Sequence, residues 1–224
     1  METVGALRLR TYGSAAHQVI VLHGGPAAVG SAAGLARGLS GAFRVLEPWQ
    51  RGSGSEALTV ATHVADLHGL VTSRCAPGRP AIVGESWGAM LALAYAAAHP
   101  DAAGALVLVG CGTFDLDARA RLRATISERG AALRPRLDAL AEAFPDPAER
   151  MIEEWALEKA MYDHAPIEAA HDDEAGEPFD IVAHTETWDD MLRLQQARAY
   201  PAAFAAIASP VLMLHGAQIP TLGR

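Results

Sequence analysis

The stretch "AIVGESWGAMLALAYAAA", Ala81 to Ala98, restricts the fold more than any other part of this chain. A short β-branched run enters a Gly-x-Ser-x-Gly turn, and an alanine- and leucine-rich helical run leaves it at once. As a bare pattern Gly-x-Ser-x-Gly is common. Between a strand and a helix it is the setting of a nucleophile elbow. There the serine takes a strained backbone conformation, and its neighbours must be small for strand and helix to approach. The helix N-terminus behind Ser86 favours negative charge. The competing reading is a glycine-rich turn with an incidental serine.

The elbow needs a sheet around it, and the rest of the chain supplies strand and helix signals in alternation. "ALRLRTY" (Ala6–Tyr12) alternates like a half-exposed strand, and "QVIVLHG" (Gln18–Gly24) is continuous, like a strand covered on both faces. "SAAGLARGLS" reads as a helix and "FRVLEP" (Phe43–Pro48) as a strand. "ATHVADLHGLVTSR" carries Val64, Leu67, Leu70 and Val71 at helical spacing, and "AGALVLVG" is a further strand. This rhythm predicts an α/β fold with a mostly parallel, doubly covered sheet. From Thr113 to Ala208 it gives way to charged helix formers, and "SPVLMLHG" (Ser209–Gly216) returns to strand. The expected organisation is therefore a core sheet over 1–112, a helical cap insertion over 113–208 and a return to the core over 209–224.

Composition excludes several functions. A net charge of -8 without a Lys/Arg cluster argues against nucleic acid and anionic membrane as partners. No apolar run approaches the length of a membrane span, and the N-terminus lacks the apolar core of a signal peptide. Cys75 and Cys111 read as cytosolic thiols. The expectation is a soluble cytoplasmic protein acting on a small molecule or short peptide, with no metal or organic cofactor.

His23-Gly24-Gly25-Pro26 follows the second strand. A loop so placed supplies one N–H of an oxyanion hole, and the residue after the serine supplies the other. Here the donors are Gly25 and Trp87. His23 reads as a structural histidine bonding within its own loop.

With "HGGP", "QRGSG" (Gln50–Gly54) and "VGESWGAMLALAYAAAHPDAAGALVLVG" (Val83–Gly110), the chain resembles the α/β-hydrolase fold family, and within it the proline iminopeptidase-like group. The resemblance covers about the first 110 residues and the last strand. It implies a serine hydrolase cleaving an ester or amide, with the helical insertion as a cap. It also implies cap carboxylates that hold a substrate's free amino terminus. "EEWALE" offers Glu153, Glu154 and Glu158, with Trp155 and Glu158 on one helix face; an ordinary solvated helix is the competing reading. Two positions depart from the pattern. Trp49 stands where relatives carry Asp, and Glu85 where iminopeptidases carry Gly.

A serine nucleophile needs a base and an orienting acid. The resemblance places the acid in a His-Gly-x-x-Asp turn after the last strand and the histidine one strand later. Here His215-Gly216-Ala217-Gln218 leads to Ile219. The expectation is a chain whose last strand and helix are missing and which is nearly inactive. A single-base deletion would convert Asp-Pro-His-Pro-Gly into the Ile-Pro-Thr-Leu-Gly found at Ile219–Gly223; a divergent short protein and an imposed boundary are the alternatives. Asp115 and Asp117 occupy an alternative acid position of the fold. His63, His68, His99, His164, His171 and His184 remain, none on a loop expected to face Ser86. Loss of the final strand would leave Pro210–His215 as an apolar sheet edge open to self-association. A non-catalytic binding protein of the same fold is the other reading.

Overall fold

The computed structural model describes residues 1–162 and 177–216. Seven strands form one sheet: β1 (Glu2–Val4), β2 (Leu7–Tyr12), β3 (Gln18–Leu22), β4 (Arg44–Trp49), β5 (Ala81–Glu85), β6 (Ala105–Val109) and β7 (Val211–Leu214). Their spatial order is β1-β2-β4-β3-β5-β6-β7. β1 and β2 run antiparallel to their neighbours, and every pairing from β4 to β7 is parallel. The sheet is thus mostly parallel and covered by helices, as the sequence rhythm predicts. β1 carried no strand signal; two of its three residues, Glu2 and Thr3, are polar, and pairing with β2 alone makes it a strand.

Helices α1 (Ala33–Leu39), α2 (Val60–Arg74) and α3 (Trp87–Ala98) connect the strands. α1 is shorter than the run that suggested it: it has no side-chain cap and ends at Ser40. α2 begins where Thr59 accepts a hydrogen bond from the Thr62 amide at 3.1 Å, and its apolar stripe is buried. α3 is buried for its first ten residues. A helix apolar all round belongs in the interior, and alanines let it lie close on β5 and β6. Its own Leu91 and the sheet residues Ile20, Leu46, Ile82 and Leu106 are among the largest fully buried side chains.

Between β6 and β7 the described residues form helices: α4 (Leu116–Arg129), α5 (Arg134–Ala143), α6 (Pro147–Tyr162) and α7 (Ile181–Gln196), with short 3-10 turns at Ala131–Leu133 and Ala202–Ala206. α7 is tied to the core by carboxylates. Asp180 accepts from the Ser53 amide and hydroxyl, both at 2.8 Å. Glu186 accepts from the Leu58 amide at 2.8 Å, and Asp190 from the Val60 amide at 2.9 Å. The Val60 amide opens α2, so a negative charge there satisfies an N–H that the helix cannot. α4, by contrast, buries no residue. Among the described residues no helix is long and apolar enough to cross a membrane.

Candidate active site

The site is built at the C-terminal ends of β3, β5 and β6. Ser86 sits between β5 and α3 with φ 51° and ψ -112°, a conformation that L residues avoid at a cost of order 1–3 kcal/mol. Its amide donates to the Val109 carbonyl at 2.9 Å, which fixes the turn against β6. The two glycines of the motif are sterically required. A Cβ on Gly84 would overlap the Gly88 backbone, and one on Gly88 would overlap the Leu22 and His23 carbonyls. Strand, elbow and helix therefore lock one another.

The His23–Pro26 loop closes over this turn. A Cβ on Gly24 would lie 3.4 Å from the Ser86 Cβ, so the loop backbone runs against the serine. Gly25 has φ +114°, which glycine adopts without strain. Trp87 heads α3, and its amide is among those a helix leaves without an internal acceptor. His23 is fully buried. Its Nδ1 donates to the Gly24 carbonyl at 2.8 Å, and its Nε2 accepts from the Gln50 amide at 3.2 Å. Burial holds its pKa down to about 4. It is a neutral strut of its loop, as expected.

Gln50 was quoted in the sequence only as part of a motif, and the structure gives it a job. Its side-chain amide donates to the His23 carbonyl at 3.3 Å, and its Oε1 accepts from the Trp87 indole at 2.8 Å. One side chain thus joins the glycine loop to the residue after Ser86. Trp49, in place of the relatives' Asp, is buried and faces two guanidinium groups, Arg8 at 4.7 Å and Arg10 at 4.9 Å from its ring centre. Arg10 in turn pairs with buried Glu47 at 2.8 Å.

Above Ser86 lies a cavity of about 1000 Å³. Its floor is Glu85, Ser86 and the end of β6; its roof is α4 to α7. Glu158 lines it, with its pKa raised by burial and then by Glu154. Glu154 does not line it: this carboxylate lies 4.0 Å from Arg150 on the same helix. Glu153 does not line it either. Trp155 shares a helix face with Glu158 but turns to an aromatic group with Phe179 and His184, at 4.6 and 5.2 Å.

The other acid and base candidates are engaged elsewhere. Asp115 caps α4, accepting from the Ala118 amide at 2.8 Å, and Asp117 is exposed in its first turn. His63 is buried with Nε2 2.9 Å from the Thr187 hydroxyl, and burial holds its pKa at about 4. His68 and His99 stack at 3.8 Å. His184 reaches the glycine loop, its Nδ1 3.0 Å from the Pro26 carbonyl. Among the described residues no histidine lines the cavity. His164, His171 and Ile219–Gly223 lie outside the described residues. Among the described residues no group of three or more His, Cys, Asp or Glu could hold a metal ion.

The family model for the alpha/beta hydrolase fold matches residues 18–221. Among solved structures, the chain is similar to an alpha/beta hydrolase from Sphaerobacter thermophilus: 22% identity, TM-score 0.58, covering 96% of this chain and 79% of that one. It is also similar to a thermophilic esterase from Thermogutta terrifontis, at 19% identity and TM-score 0.54, covering 92% and 73%. An enol-lactonase from Burkholderia xenovorans matches at 19% identity and TM-score 0.51, covering 93% and 87%. No curated protein matches the chain.

Proposed function

The chain belongs to the α/β-hydrolase fold family, and we propose that it is a serine hydrolase whose nucleophile is Ser86. The observation that carries this reading is the strained serine at the head of α3 on the floor of a cavity. In this mechanism the Ser86 Oγ attacks an ester or amide carbonyl. The Gly25 and Trp87 amides donate to the oxyanion, the serine proton passes by way of solvent to the departing alcohol or amine, and water then hydrolyses the acyl-enzyme to release the acid and restore the Ser86 hydroxyl. Fixed backbone donors suit this task because they need no reorganisation as charge develops.

The finer reading is an aminopeptidase-like specificity, in which a cap carboxylate holds a free amino terminus. Support for it comes from Glu158 alone, since Glu154 is ion-paired outside the cavity. The lining also favours slow chemistry, because no described histidine reaches the cavity. Oxyanion and binding contributions without a base leave about 10³–10⁴-fold acceleration over water. The same observation favours a second reading, a binding protein that retains the fold without turnover.

Hydrolysis of p-nitrophenyl esters and Pro-p-nitroanilide by the purified chain tests the proposal. Slow turnover that Ser86→Ala abolishes supports it. Turnover that survives Ser86→Ala removes the role given to Ser86, and no turnover above the buffer rate leaves the binding reading.

A further inference from the structure

The wall of the cavity that the reaction scheme does not use is basic. Arg119, Arg123 and Arg134 line it from α4 and α5. Several arginines elsewhere meet acids or carbonyls: Arg10 pairs with Glu47, Arg51 with Asp66, Arg193 with Asp190, and Arg79 donates to the Ala103 carbonyl. Acidic residues outnumber basic ones 26 to 18, so partners are not scarce. Yet among the described residues neither the Arg119 nor the Arg123 side chain has an ion pair or a hydrogen bond. Arg119 instead lies over the Trp188 ring, 5.1 Å from its centre, and Trp188 also lines the cavity.

Two features make this arrangement costly without a ligand. Arg119 and Arg123 are one helical turn apart on α4, a like-charge spacing that destabilises a helix. Arg119 is also half-buried, and burial followed by Arg123 lowers its pKa. Of the acids nearest in sequence, Asp115 accepts from the Ala118 amide, and Asp117 is exposed and, among the described residues, forms no ion pair with either arginine. An anion between the two guanidinium groups would answer both costs.

We propose that Arg119, backed by Trp188 and assisted by Arg123, binds a carboxylate of the substrate in the cavity that contains Ser86. The guanidinium fork matches a carboxylate in two parallel hydrogen bonds, and the indole fixes its plane by a cation–π contact. The substrate class is an ester or amide that carries a free carboxylate away from the scissile bond. Tyr162, also in the lining, feels both charges: burial first and then Glu158 raise its phenol pKa, while Arg119 lowers it. The cavity is therefore electrically polar, acidic at α6 and basic at α4. That this carboxylate belongs to a substrate rests on the hydrolase reading; that an anion binds at Arg119 does not.

Calorimetric titration with glutarate and with its uncharged diamide, glutaramide, tests the site without requiring turnover. Glutarate should bind at least tenfold more tightly than glutaramide. Arg119→Met should weaken glutarate by about tenfold or more, as for loss of a charge-assisted pair, and Arg123→Met by a smaller factor. Arg119→Lys, which keeps the charge and loses the fork, should fall between wild type and Arg119→Met. Ser86→Ala should bind glutarate normally whether or not Ser86 is the nucleophile. Equal binding of the two probes, no glutarate binding, or an unchanged affinity in both Arg119 variants would overturn the proposal. On esters, mono-p-nitrophenyl glutarate should exceed p-nitrophenyl butyrate in kcat/KM, and Arg119→Met should erase that preference. If Ser86→Ala leaves ester hydrolysis unchanged while glutarate binding still depends on Arg119, the nucleophile assignment fails and the anion site stands.

Discussion

β5 and β7 are parallel strands of one sheet, separated by β6 alone, and they share a row of side chains. Ile82 pairs with Leu106, and Leu106 with Val211. Ile82 and Leu106 are 0% exposed, whereas Val211 is 45% exposed. All four residues of β7 are apolar, against three apolar of five in β5, yet β7 is exposed along its length. Hydrophobicity did not decide burial here; position in the sheet did. β5 has a strand on each side and α3 across it, while β7 is the last strand among the described residues. After β5, glycines and backbone carbonyls hold Ser86 in one strained conformation.

The sharpest way to break the comparison is truncation at both ends of that row. Ile82→Ala should cost about 2–5 kcal/mol, the usual price of a cavity in a closed core. Val211→Ala should cost less than about 1 kcal/mol, because the side chain is already half in water. Urea unfolding of the two variants measures the difference. Equal losses would mean that β7 is covered in solution by something the single chain does not show.

Acid should separate the two regions next. His23 and His63 both support the elbow side, His63 through an edge contact with Trp87 at 6.0 Å. Both are held at about 4 by burial, below their ordinary value of about 6.5. Between these values the unfolded chain binds protons that the native state refuses. Stability is therefore full above about pH 6.5 and falls as pH drops toward 4, by an amount on the order of 3 kcal/mol per histidine. His63→Gln should flatten the slope of the urea midpoint against pH over that window. An unchanged slope would mean that His63 is not the neutral, buried group its contacts describe.

A smaller effect probes how the elbow side is tied together. Gln50→Leu keeps the volume but leaves the Trp87 indole and the Gln50 side of the His23 loop without their bonds. Stranding buried polar groups costs about 1–3 kcal/mol. Any ester turnover should fall more in this variant than in one of equal stability made in β7, because the loop and the head of α3 would no longer be held in register.

What could be read from the sequence follows the same division. Gly84, Ser86 and Gly88 were legible because the requirement is local: three residues and their flanking strand and helix determine the turn. The parallel sheet was legible from period and spacing. Gln50 was not, because its partners, His23 and Trp87, are 27 and 37 residues away in sequence. Arg119 and Arg123 fall in the stretch that read only as charged helix formers, and the cavity distinguishes them from surface charge. Glu154 and Glu158 were indistinguishable on a helix, yet one faces the cavity and the other pairs with Arg150. Burial and pairing across the fold carry no mark at a single position.

The least costly change to the monomer tests what β7 does with its exposed face. Among the described residues β7 has a neighbouring strand on one side only, and a strand so placed presents N–H and C=O groups that another chain can use. Val211, Leu212, Met213 and Leu214 are 45–53% exposed, and no charged residue interrupts them. Self-association through this edge is the expected outcome, with a second copy of β7 as the simplest complementary surface. Leu212→Lys places a charge on the edge, the device natural sheets use to discourage pairing. Because Leu212 is already about half in water, the monomer should lose less than about 1 kcal/mol. Sizing chromatography across a range of concentrations should show wild type shifting to larger species and Leu212→Lys remaining smaller. A wild-type chain that stays monomeric at every concentration would refute the pairing. Association that Leu212→Lys does not relieve would move the interface away from β7, and the contrast with β5 would then be one of packing alone.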